Sequence, residues 1–168
     1  MKKITGKRSG FTIIEVSLVL AIAGLIFLMV FIALPSLQRN QRDAKRREDM
    51  IIYTEAISKY QSNNRGALPS GTPTSVTADS TGSEWGEFYR KYLPKPFTDP
   101  SGQDYSLKVI SCEGDVGTVC NGGTLEQGVI LTIVQAACDG ESAIKTANPR
   151  RIAVRYKLEG GGVYCGDN

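Results

Sequence analysis

Apolar and polar positions alternate along this chain in three different rhythms. From Phe11 to Leu34 it reads FTIIEVSLVLAIAGLIFLMVFIAL, and beyond Ser17 no polar side chain occurs until Ser36. A helix of that length, at about 1.5 Å per residue, spans a hydrocarbon layer of about 30 Å. Gln38 to Asp49 is strongly polar, and Met50, Tyr53, Ile57 and Tyr60 then recur at helical spacing. The spacing predicts one long helix from Phe11 to about Arg65 whose second half is amphipathic. Pro35 lies inside it as a kink or local break in hydrogen bonding. Gly24 is a second soft point, or a place of close packing. Gly66 is the expected stop, in left-handed geometry.

The second rhythm is irregular. Residues 66–83 are rich in Ser, Thr, Gly and Pro and read as loop. Glu84 to Leu93 predicts a short helix docked through Trp85, Phe88, Tyr89 and Tyr92, with packing preferred over an aromatic binding patch. Pro94, Pro96 and Pro100 mark a connector. Period-2 alternation is the third rhythm. Tyr105, Leu107 and Val109 alternate with polar residues; Val129–Val134 is a continuous apolar run suited to a central strand. Ile152 to Leu158 alternates cleanly, as a half-buried strand does. The expected class is α+β: a long helix whose outer half covers the apolar face of a small antiparallel sheet of about three to four strands.

Charge changes this picture at the amino terminus. Lys2, Lys3, Lys7 and Arg8 form a basic leader, and without it sixteen basic face seventeen acidic side chains. The excess of positive charge therefore belongs to the leader and does not argue for a nucleic-acid partner. In the Gln38–Asp49 run the acidic residues offset part of the basic ones. A solvated face with helical ion pairs is the preferred reading there, ahead of contact with anionic headgroups or DNA. With Arg39, Arg42, Lys45, Arg46 and Arg47 following the apolar run, charge alone does not orient the helix.

Glu15 is the exception within the apolar run. A carboxylate in lipid costs a few kcal/mol, about 2.5–3.5 at a helix centre and less near an end, so it calls for a partner. The segment Gly10-Phe11-Thr12-Ile13-Ile14-Glu15-Val16, after its basic leader and before the apolar helix, resembles the processing site of type IV pilins and pseudopilins. The resemblance covers about the first 40 residues. It implies cleavage between Gly10 and Phe11 by a prepilin peptidase, N-methylation of Phe11, and an assembly role for Glu15 opposite the new ammonium, within or between subunits. It also implies the pilin arrangement: leader 1–10, membrane and filament-core helix 11–34, extracytoplasmic head 35–168.

The function implied is that of a structural subunit, not an enzyme and without a cofactor. The chain is held in the cytoplasmic membrane with its amino terminus inside, then polymerised into an extracellular pilus. Partners implied are copies of itself, the peptidase, and an assembly platform with its ATPase. Adhesion, twitching motility or DNA uptake would be properties of the polymer. A secretion-system pseudopilin and a membrane-anchored binding protein that never polymerises are the alternatives; an ordinary uncleaved signal-anchor is the plainer account of the helix. An anchored enzyme is disfavoured, because the chain has no His and no readable nucleophile–base pair.

Two further sets of residues are chemically suggestive. Asp99, Ser101 and Asp104 lie in FTDPSGQDY, where they form an incomplete calcium set; some pseudopilins hold calcium in a comparable loop, but Asx-type turns are preferred. The four Cys all lie beyond residue 110, which suits an oxidising compartment. Cys112 and Cys120 enclose seven residues, as at a disulfide-closed hairpin tip, leaving Cys138 to pair with Cys165. Four Cys allow three connectivities, and this one is the preference. A metal site is the minor alternative, since no Cys-x-x-Cys pair is present.

Overall fold

The computed structural model describes residues 10–168. Lys2, Lys3, Lys7 and Arg8 of the leader lie outside them. The chain divides into two compact units, Met1–Gln38 and Arg39–Asn168. One helix, α1 (Ile13–Asn63), contributes to both and is continuous in secondary structure through Pro35. It starts two residues later and ends two earlier than the spacing alone suggests. In the first unit its large apolar side chains are all exposed, from Ile13 to Leu37. An 18-residue window reaches a mean hydropathy of 2.9 with none of it buried. By length and composition this helix can cross a bilayer.

In the second unit the helical stripe works as its spacing requires. Met50, Tyr53 and Ile57 are fully buried, and Tyr60 packs at their edge. Helix α2 (Glu84–Tyr92) is capped by Ser83, whose hydroxyl accepts from the Gly86 amide at 3.1 Å. It buries Trp85, Phe88 and Tyr89, so these aromatics are core. Phe88 meets Tyr53 and Tyr60 edge-on at ring distances of 5.9 and 5.8 Å.

The sheet is mixed, and this corrects the expected antiparallel arrangement. Four strands lie in the order β1 (Ser106–Ser111), β2 (Val129–Val134), β5 (Ile152–Lys157), β6 (Val163–Asp167). β1 and β2 run parallel; β2–β5 and β5–β6 are antiparallel. A parallel pair needs a crossover rather than a tight turn, and residues 112–128 supply it. The Cys112–Cys120 loop therefore sits within a crossover, not at a hairpin tip. The remaining strands, β3 (Ala136–Asp139) and β4 (Ser142–Lys145), form a separate hairpin. A single residue, Gln135, with φ of 61°, separates β2 from β3.

Both faces of the sheet are covered. Leu107, Val109, Ile130, Ile152, Val154 and Tyr156 face α1 and α2. Leu131, Ile133 and Ala153 face the hairpin and both disulfides. β5 is consequently buried on both sides rather than half-buried. Even Arg155 is enclosed, donating to the carbonyls of Glu141 (3.0 Å) and Asn121 (2.5 Å). Tyr53 and Thr132 share a 2.7 Å hydrogen bond that ties α1 to the central strand.

The end of α1 differs from expectation in one residue. The Gly66 amide reaches back to the Gln61 carbonyl at 2.7 Å, the long bond of a Schellman cap. In that motif the left-handed residue just past the helix is Arg65, with φ of 56°; Gly66 follows with φ of 82°. A residue with a Cβ is strained there. Arg65→Gly is expected to stabilise the protein by about 1 kcal/mol. Urea unfolding of both chains would test this, and a lower midpoint for the variant would contradict the cap assignment.

Candidate functional site

The Gly10–Phe11 bond lies in irregular backbone ahead of α1, and both residues are exposed, Phe11 at 87%. A Cβ built on Gly10 would meet nothing within 4 Å, and its φ lies outside the left-handed region. The fold itself makes no demand for glycine at this position. Thr12 is the N-cap of α1, and Glu15 is its third residue. The Glu15 amide donates to Thr12 Oγ1 at 3.3 Å, and the Thr12 amide donates to Glu15 Oε2 at 3.3 Å. The Thr12 hydroxyl donates to the same carboxylate oxygen at 3.2 Å. This is a reciprocal capping box. Glu15 therefore has a local partner that the sequence reading did not name, although Thr-x-x-Glu before an apolar run is its signature.

A second constellation lies in the polar half of α1. Gln38–Asp49 is not a uniformly solvated face: Asp43, Arg46 and Asp49 are buried. They extend the stripe of Met50, Tyr53 and Ile57 upstream in the same helical phase, so the buried face continues after its chemistry changes from ionic to apolar. Arg46 is only 2% exposed. Its Nε and Nη2 donate to Asp99 at 2.7 and 2.9 Å, and its Nη1 donates to Asp43 at 2.9 Å and Glu159 at 3.0 Å. Arg42 forms a second fork on Glu159 at 2.8 and 2.6 Å. Asp43 also accepts the Glu159 and Gly160 amides at 2.9 and 2.7 Å, closing the β5–β6 turn onto the helix. Tyr105 donates to Asp49 at 3.0 Å.

Asp99, the first residue of the weaker calcium reading, is taken up by this arrangement. Asp99 is 3% exposed, and both its oxygens face the Arg46 guanidinium. One oxygen also accepts the Ser101 amide at 2.8 Å, an Asx turn, and the other accepts the Tyr156 hydroxyl at 2.9 Å. A cation would have to displace a guanidinium. Asp104 pairs instead through its backbone with Thr98. The described residues contain no cluster of three or more metal-ligating side chains.

The electrostatics follow from the geometry. Burial opposes ionisation of Asp99, but Arg46, Ser101 and Tyr156 outweigh it and hold its carboxyl well below the usual range. Arg42, then Arg46, hold Glu159 down to about 2. Burial pushes Tyr156 up to about 12, so it remains a proton donor to Asp99. The charges are mutually satisfied, and the cluster is a clasp between helix, connector and sheet rather than a reactive centre.

The cysteines complete the inventory. Cys112 pairs with Cys120 and Cys138 with Cys165, at Cα separations of 5.5 and 5.8 Å. This is the connectivity preferred from the sequence. The second bridge joins the hairpin to β6, which had no strand of its own in the sequence reading. Comparison with protein-family models, with curated proteins and with solved structures returned no match.

Proposed function

We propose that the chain is a structural subunit of a type IV pilin-like filament. It is made with a leader, held in the membrane by the apolar first part of α1, cut between Gly10 and Phe11, methylated at Phe11 and then polymerised. Other copies, a prepilin peptidase and an assembly platform with its ATPase are the partners this requires. The subunit itself catalyses nothing; adhesion, motility or DNA uptake would belong to the polymer. The observation that carries the reading is the junction at Gly10. An exposed peptide bond in irregular backbone stands directly before the exposed apolar part of α1, Ile13 to Leu37, whose one acidic residue is Glu15. In the filament that helix would bury its side chains against copies of itself instead of lipid.

Processing provides the test. Intact-mass analysis of exported material is expected to show a chain beginning at Phe11 with one added methyl group. Assembled filaments that retain Met1–Gly10 would overturn the proposal. Gly10→Val is expected to block cutting while leaving the fold intact, because open space surrounds that position. A defect would then report the peptidase's requirement for a very small residue, not misfolding.

A further inference from the structure

We propose that the cleft beside the last turn of α1 binds a phosphate or sulfate oxyanion through Arg65 and Arg150. The second unit, Arg39–Asn168, carries sixteen basic and sixteen acidic side chains, so it has no net charge to spread over its surface. Yet this open cleft of about 560 Å³ is lined by Arg65, Arg150 and Arg151 and by no carboxylate side chain. A neighbouring cleft of about 390 Å³ on the same turn adds Lys59 and Lys91, again with no carboxylate side chain. Arg151 is balanced by Asp167 at 2.9 Å. Among the described residues, Arg65, Arg150, Lys59 and Lys91 enter no ion pair.

The backbone positions that carry both arginines are set by local structure. Gln61 Nε2 donates to the Arg150 carbonyl at 2.7 Å, and the Arg150 amide donates to Asn148 Oδ1 at 3.0 Å. The Arg150 guanidinium lies over Gly66, where a Cβ would come within 2.9 Å of Nη1. Arg65 occupies the left-handed position of the helix cap, which glycine would fill with less strain. A strained residue bearing an unpaired guanidinium beside a second one is an arrangement that stability alone does not favour. The partial negative charge at the helix end attracts both groups but does not neutralise them. Two planar forks of N–H donors on one cleft match the oxygens of a phosphate or sulfate group.

Calorimetric titration of the full chain, in phosphatidylcholine nanodiscs with sodium tripolyphosphate as probe, tests the site. Saturable binding is expected, with Arg65→Gly and Arg150→Gln each weakening it by about tenfold. Lys108→Gln, on β1, is expected to leave affinity unchanged. Because Arg65→Gly should be the more stable chain, weaker binding there cannot come from unfolding. Repeating the titration in nanodiscs containing phosphatidylglycerol separates the sources. Competition identifies a lipid headgroup, undiminished binding a soluble phosphate or sulfate, and either outcome upholds the site. Absence of saturable binding to the unaltered chain, or equal affinity in the Arg65→Gly/Arg150→Gln double variant, would overturn it.

Discussion

Asp99→Ala is expected to destabilise the Arg39–Asn168 unit by about 3 kcal/mol, the low end of what removing one partner from a buried ion pair costs. The substitution removes both oxygens that face Arg46 and strands the Tyr156 hydroxyl and the Ser101 amide. Arg46 keeps Asp43 and Glu159, which is why the larger losses in that range are not expected. A double-mutant cycle with Arg46→Met and Asp99→Asn should return a coupling of about 1–3 kcal/mol by urea unfolding. A coupling near zero would mean that the clasp adds nothing beyond packing.

The same clasp sets the response to acid. Asp43, Asp99 and Glu159 are all depressed in the folded chain, from ordinary values of 3.8, 3.8 and 4.5. For depressed carboxyls the unfolded state takes up protons first, so their stabilisation is complete above about pH 4.5 and fades as pH falls. Unfolding midpoints should therefore hold steady down to that pH and drop steeply towards pH 2, where Glu159 titrates. In Asp99→Ala the drop should be shallower, since one depressed carboxyl is gone. Parallel pH profiles for the two chains would count against the assignment.

Glu15 carries the other large expected effect, and it rests on the filament reading. Glu15→Val removes a carboxylate from an apolar helix, so membrane insertion should improve slightly. The capping box with Thr12 would be lost, at about 1 kcal/mol. If the carboxylate instead serves to neutralise the new ammonium of Phe11 as subunits pack, its removal leaves a buried unpaired charge and costs several kcal/mol. Filament yield should then fall by well over about tenfold at an unchanged membrane pool.

The capping box makes the two roles separable. Glu15→Gln keeps a side chain able to cap but not the charge; Thr12→Val keeps the charge but not the hydroxyl. The charge role predicts that Glu15→Val and Glu15→Gln both fail to assemble and that Thr12→Val assembles. Assembly of Glu15→Gln with failure of Thr12→Val would show that the residue acts only as a helix cap.

Periodicity alone placed much of this protein. The helix, its exposed apolar half, the buried stripe of Met50, Tyr53 and Ile57, helix α2 and strands β1, β2 and β5 all follow from local spacing. Apart from that exposed half, each buries a face that its own sequence marks. β3, β4 and β6 were missed because they are short and poor in large apolar residues, although Asp139-Gly140 between two such runs is a hairpin signal. Their stability comes from covering the second face of the sheet and from the Cys138–Cys165 bridge, neither of which is local.

Tertiary structure alone decided the rest. Strand direction depends on how residues 112–128 cross over, and no residue pattern within β1 or β2 encodes it. Asp43 and Arg46 read as residues of a solvated face because ionic side chains are usually solvated, and Asp99 read as part of a local turn. Only the fold brings Asp99 and Glu159, 53 and 113 residues away in the chain, to the arginine that makes their burial tolerable. The capping box of Thr12 and Glu15, by contrast, lies within one helical turn and needs no distant partner, so its Thr-x-x-Glu signature stands in the sequence itself.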